Sequence, residues 1–161
     1  LLLLAYHPIV TYSIFIQQIS IMSTNARIAI KKSDDSFVSV YHHWDGYPEW
    51  LGVTLTEQYN TQDTVEKLIE GGNMSSCYSD NVYDFEKQQF VKRDPQPEYY
   101  GGEDERPRTA TSITEFFDHC DNCGAEFGYI FDRGEWFAYC TDDYYTEKYR
   151  TLVDIPQEYD S

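Results

Sequence analysis

Two alternating segments joined by a polar turn constrain this chain more than any other feature. Arg27-Ile28-Ala29-Ile30-Lys31 alternates polar with apolar, Ser33-Asp34-Asp35-Ser36 supplies turn chemistry, and Phe37-Val38-Ser39-Val40-Tyr41 alternates again. A period of two with turn residues between specifies a β-hairpin. Residues 127–139 repeat the arrangement: Phe127 to Phe131, then Asp132-Arg133-Gly134, then Glu135 to Tyr139. Between the hairpins the period changes. Leu51, Leu55 and Tyr59 fall at i, i+4 and i+8, predicting a helix from about Glu49 with Trp50 beside the stripe. A second helix is predicted with Asp63 as N-cap and Glu66 three residues on, an apolar face of Val65, Leu68 and Ile69, and Gly71-Gly72 as its stop. Ser112 is suited to cap a short helix through Phe116, Phe117 and His119.

The order β-β-α-α, loop, α-β-β predicts an α+β fold, with an antiparallel sheet built from the two hairpins and helices packed on one face. The 161 residues suffice for one domain with a real core. Residues 22–161 form that domain: a hairpin and two helices over 22–93, an acidic Pro- and Gly-rich loop over 94–111, and a helix, hairpin and acidic tail over 112–161. Aromatic residues are irregularly spaced from 73 to 111, and no core is expected there.

The first 21 residues are handled separately. Their apolar stretch is interrupted by His7, Pro8, Thr11 and Ser13, a poor match to the ~20 mostly apolar residues of a membrane span. A signal peptide wants a basic start, which is missing. The expectation is that translation begins at Met22 and that residues 1–21 are a non-native leader read through from an over-extended frame.

Composition narrows the partners. Twenty-eight acidic and twelve basic residues give a formal net charge of −16, which opposes direct binding to nucleic acid or to an anionic membrane. Residues 94–161 hold seventeen of the acidic and five of the basic side chains, with Tyr99, Tyr100, Tyr139, Tyr144, Tyr145, Tyr149 and Tyr159 among them. Carboxylates mixed with amphipathic rings suit docking on a basic protein surface. The four cysteines, at 77, 120, 123 and 140, do not form the framework of a small disulfide-rich secreted domain, so a reducing cytoplasm is expected.

Two stretches carry candidate chemistry. In YHHWDGYPEW, residues 41–50, Gly46 and Pro48 break the strand. His43, Trp44, Asp45 and Tyr47 are the candidate binding residues for a small, nucleotide-like ligand. Adjacent strand residues face opposite ways, so His42 and His43 cannot serve one site without a bulge. The competing reading is a structural corner in which Trp44 and Tyr47 cover the helix, Asp45 holds the turn and Pro48 opens the helix. As chemistry, His42, His43 and Asp45 would supply a general base or metal ligands for turning such a ligand over, but no nucleophile, Gly-rich phosphate loop or paired-carboxylate motif accompanies them, and no catalytic residue is assigned. The second stretch, Cys120-Asp-Asn-Cys123-Gly124 with Cys140 and Asp143, reads C-x2-C-x16-C-x2-D. That spacing around a hairpin fits a zinc-ribbon-like structural Zn site, with His119 as alternative fourth ligand and Cys77 a distant third. Plain thiols, reversibly oxidised, are the other reading.

The run Arg27-Ile28-Ala29-Ile30, the Tyr41-His42-His43-Trp44-Asp45-Gly46-Tyr47-Pro48 signature, the Leu51-to-Tyr59 helix and the late hairpin around FDRGEWF together resemble a family of small uncharacterised proteins. That family is carried by tailed phages, including phages of cyanobacteria, and by prophages. The likeness covers roughly Thr24 to Ala138; the cysteine segment and the long acidic loop depart from it. The family has no assigned activity. The resemblance therefore implies a phage accessory protein of the infected host cell, working by host takeover or anti-defence, and transfers no catalytic residue. If the leader is foreign to the fold, a chain starting at Met22 will melt within a few degrees of the full chain; a large loss of stability would show that residues 1–21 pack into it.

Overall fold

A computed structural model describes residues 23–141 and 151–157. Both hairpins form as the alternation predicts. β1 (Ala26–Lys31) pairs antiparallel with β2 (Phe37–His42), and β6 (Phe127–Asp132) with β7 (Glu135–Cys140) through a two-residue turn. Arg133 and Gly134 both take positive φ in that turn, as tight hairpins of this twist require.

The hairpins do not meet edge to edge in an antiparallel sheet. β1 pairs with β6 in parallel, so the sheet is mixed; with β3 (Met74–Asp84), β4 (Gln89–Tyr99) and β8 (Thr151–Val153) its order is β4-β3-β2-β1-β6-β7-β8. The reason is the connection. α3 (Ile113–Asn122) carries the chain back across the sheet before β6 begins, and such a helical crossover delivers a strand in the same direction as its neighbour.

That crossover also puts a helix on the second face, where helices on one face alone were expected. Ala26, Ile28, Ile30 and Val40 face a core closed by Leu55 of α1 (Val53–Gln58), Leu51 of the helical turn before it, and Val65 and Leu68 of α2 (Gln62–Glu70). On the other face Ala29, Phe37 and Ile130 pack under Phe116 and Cys120 of α3. α3 comes so close that a Cβ on Gly128 would lie 3.1 Å from the Phe116 ring and 3.3 Å from Cys120 Sγ. β1 is consequently buried on both sides, including Arg27, which alternation alone assigns to solvent.

Local signals hold with small shifts. A wide helical turn, Pro48–Gly52, precedes α1, and Leu51 and Leu55 are buried while Trp50 is half exposed. The cap of α2 is Thr61, not Asp63: the Thr61 hydroxyl accepts from the Thr64 N–H and Thr64 Oγ1 accepts from the Thr61 N–H, a reciprocal capping box. Asp63 pairs instead with Lys67 at 3.0 Å. Ser112 caps α3 as expected, but the helix runs on through Cys120 to Asn122.

The expected loop region is the main correction. β3 (Met74–Asp84) and β4 (Gln89–Tyr99) form a long two-stranded ribbon, and β5 (Arg108–Ala110) adds to the edge of β2. Core is present there too: Met74, Cys77 and Ala110 are buried, and the Tyr99 hydroxyl donates to the Leu68 carbonyl at 2.7 Å. The sequence hid the ribbon because most of it is wet on both faces, leaving no period of two. Pro95 and Pro97 are tolerated since β4 is an edge strand. Among the described residues no helix is long and apolar enough to cross a membrane.

Candidate functional site

The corner after β2 is built by backbone. The His43 N–H donates to the Met74 carbonyl at 3.2 Å and the Trp44 N–H to the Ser75 carbonyl at 3.0 Å, so the chain clings to the start of β3. Asp45 then takes φ +52°. The Gly46 N–H donates to the Thr24 carbonyl at 2.8 Å, and a Cβ on Gly46 would lie 2.8 Å from Ala26 Cβ and 2.9 Å from that carbonyl oxygen. Only glycine fits. The Tyr129 hydroxyl donates to the Gly46 carbonyl from below at 2.7 Å, and Pro48 opens the helical turn as expected.

The side chains reverse the expected roles. Trp44 is 52% exposed and Tyr47 36%, so neither covers the helix, whereas His42 is 2% exposed. His42 shares the parity of Val38 and Val40, and that face of β2 is core. Its Nε2 accepts from the Cys77 N–H at 3.0 Å, fastening the base of the ribbon to β2. Burial, with a smaller contribution from His43, pushes its pKa down to about 3. His43, on the opposite face, meets the Tyr41 hydroxyl at 2.7 Å through Nδ1 and sets its ring edge-to-face with Trp44 at 4.5 Å. Burial holds the Tyr41 hydroxyl up at about 12. Of the candidate binding residues, His43 and Trp44 are therefore in contact, while Asp45 and Tyr47 lie exposed along the corner.

Tyr41 also walls a hollow of about 370 Å³ that spacing arguments missed. Its other lining residues are Arg27, Asn73, Asp104, Arg106, Arg108 and Cys123. Three elements place them. Arg27 stands opposite Tyr41 in the β1–β2 register. Arg108 stands opposite Ser39 in the β2–β5 register, and so on the same face as Arg27. The strap between β4 and β5 is pinned by Asn73, whose Oδ1 accepts from the Tyr41 N–H at 2.8 Å and whose Nδ2 donates to Glu105 Oε2 at 2.9 Å. Arg27 is 3% exposed. Its Nε donates to Ser39 Oγ at 2.7 Å and its Nη2 to the Ser39 carbonyl at 3.3 Å, while Nη1 lies 3.9 Å from Cys123 Sγ. Burial lowers its pKa from the ordinary arginine value, an effect the neighbouring thiols oppose. The available signal was an arginine on a strand whose alternate residues are apolar, with Tyr41 and Ser39 on its partner.

Of the expected zinc ligands, the structure describes Cys120, Cys123, Cys140 and His119. Cys120 lies in the last turn of α3 and Cys123 caps it. Cys140 stands opposite Phe127, whose ring belongs to the α1–α2 core, whereas Cys120 belongs to the core under α3; the sheet separates them. His119, the alternative ligand, makes a long contact of 3.9 Å to Glu115, and burial, with Arg27 and Arg108 nearby, lowers its pKa. No three His, Cys, Asp or Glu side chains among the described residues are grouped to hold a metal, and the described cysteines are free thiols. Asp143 lies outside the described residues.

No family model matches this chain, and no curated protein or solved structure matches it.

The corner generates a paired prediction. His42→Ala leaves the Cys77 N–H unpaired in the core and will cost about 2–3 kcal/mol, while Trp44→Ala will cost less than about 1 kcal/mol. The pH dependence follows with a definite sign. The unfolded imidazole takes up its proton near the ordinary value of 6.5, but the folded one only near 3. Stability is therefore full above pH 6.5 and falls as pH drops toward 3. Chemical denaturation between pH 6 and 4 will show the wild type losing up to about 1.4 kcal/mol per pH unit that His42→Asn does not lose. Parallel pH curves for the two proteins would contradict the buried neutral imidazole.

Proposed function

We propose that this chain is a binding protein of the phage accessory type. In this reading it acts in the cytoplasm of an infected bacterial cell, docking on a host protein with a basic surface and inhibiting or redirecting it. The observation that carries this is the far end of the β3–β4 ribbon. Phe85 is 85% exposed and Phe90 70%, and both pack edge-to-face against Tyr83, with ring centroids 5.1 and 5.2 Å away. Val82 stands opposite Val91 beside them. Large rings held on a projecting two-stranded ribbon lose favourable free energy to water unless a partner covers them, and exposed apolar clusters of this kind mark interaction sites.

The charge names the partner's chemistry. A surface dominated by carboxylates attracts a cationic partner over distance and orients it, while the rings supply the contact that holds it. A protein surface that ordinarily receives nucleic acid has the matching positive field, so mimicry of a polyanion is the form of inhibition this surface favours.

The test uses the immobilised full chain in lysate of a bacterial host. A protein of basic isoelectric point will be retained at low salt and released as salt rises. Phe85→Ser/Phe90→Ser will lose about tenfold of that retention without a change in melting temperature. Equal retention by the double variant would reject the ribbon as the docking element. A wild-type dimer dispersed by the same substitutions would assign the ribbon to self-association and overturn the reading.

A further inference from the structure

Three of the chain's six arginines line the single hollow beside Tyr41, in a molecule of net charge −16. We propose that this hollow binds a phosphate ester, with its phosphoryl oxygens held by Arg27 and Arg108. The inference stands apart from the docking ribbon and does not depend on it.

The argument begins with Arg27. A guanidinium removed from water must be compensated, and the desolvation of an unpaired ion is expensive. Ser39 takes the Nε and Nη2 donors, but both its acceptors are neutral. Nη1 faces only the sulfur of Cys123, at a distance and with an acceptor strength that leave most of its bonding capacity unspent. None of the ion pairs among the described residues engages this arginine. Arg108, a like charge lining the same hollow, raises the cost a little further. An anion between the two removes both penalties.

The chemistry of the lining selects the anion. Guanidinium groups present parallel N–H donors that match phosphoryl oxygens, and they do so best where water is excluded on one side. Asp104 also lines the hollow, and Arg106 is partly engaged by Glu103 at 3.3 Å, so the positive excess rests on Arg27 and Arg108. The volume, about 370 Å³, falls at the lower end of small-molecule pockets. It is larger than an inorganic ion needs, and the Tyr41 ring offers a flat wall to the remainder of an ester. Cys123 completes the lining and reports on occupancy from inside.

The probe is 5′-AMP, with adenosine, inorganic phosphate and citrate as separate arms, added to the full chain. AMP will bind by calorimetry and slow the alkylation of Cys123 about fivefold while leaving Cys140 unchanged. Inorganic phosphate will compete with it more weakly, and adenosine will not bind. Arg108→Gln, a rim substitution that leaves the core untouched, will weaken AMP about tenfold without lowering the melting temperature of the free protein. Arg133→Gln, in the exposed β6–β7 turn, will bind as the wild type does. Absence of AMP binding, adenosine or citrate binding as tightly as AMP, undiminished binding by Arg108→Gln, or equal protection of Cys140 would each overturn the proposal.

Discussion

The burial of β1 on both faces is the constraint from which the rest of the fold follows. A strand with solvent on one side can carry an arginine there at no cost, but this one is closed by α1 and α2 below and by α3 above. Arg27 must then be satisfied from within the protein. Ser39, on the neighbouring strand, is small enough to leave room for the guanidinium and polar enough to bond it through both its hydroxyl and its carbonyl. The same closure requires a small residue at Ala29, where the sheet meets the Phe37 and Phe116 rings, and at Gly128, where α3 makes its closest approach. A bulkier residue at either place would lift α3 and reopen the face on which Arg27 lies.

What the sequence made legible was local. The hairpins announce themselves because alternation and turn chemistry lie within a few residues of one another, and the stripe of Leu51, Leu55 and Tyr59 is a property of one segment. Hydrophobic period carries no information on which distant strand lies alongside, so the parallel pairing of β1 with β6 was invisible. The ribbon was hidden for the opposite reason. Its stability comes from backbone pairing and from anchors at its base, such as Met74, Cys77 and Tyr99, and these are too few to set up a period. Of the corner, the opposed faces of His42 and His43 were readable and the exposure of Trp44 was not. Trp44 has the larger apolar surface and the same parity as His42, yet β2 ends at His42 and the chain has left the strand before Trp44. Size and parity together predict burial poorly once the chain has left the strand that sets the faces.

The cysteine spacing shows a related limit. Spacing around a hairpin is a one-dimensional template, and it does not say which face of the sheet each thiol occupies. An even number of residues between Phe127 and its partner leaves Cys140 on the face of Ala138, while Cys120 is committed to the opposite core by the packing of Phe116 one turn earlier. The helical period of α3 and the strand period of β7 each place a thiol correctly for packing.

The division of labour between the two histidines follows from these same faces. His42 points inward and serves the junction of β2 with β3, a task that needs a neutral acceptor and tolerates deep burial. His43 points outward onto the face that carries Arg27, and its contacts run in a line: Tyr41 to His43 by hydrogen bond, His43 to Trp44 by ring edge. Tyr41 in turn walls the arginine-lined hollow. The aromatic signature is thus continuous with the only strongly buried cation among the described residues, from the half-exposed indole at one end to the guanidinium at the other. A rigid corner is what keeps that line in place, since Gly46 and the Tyr129 hydroxyl fix the backbone just beyond it. One face of the strand supplies the fastening, and the other presents what has been fastened.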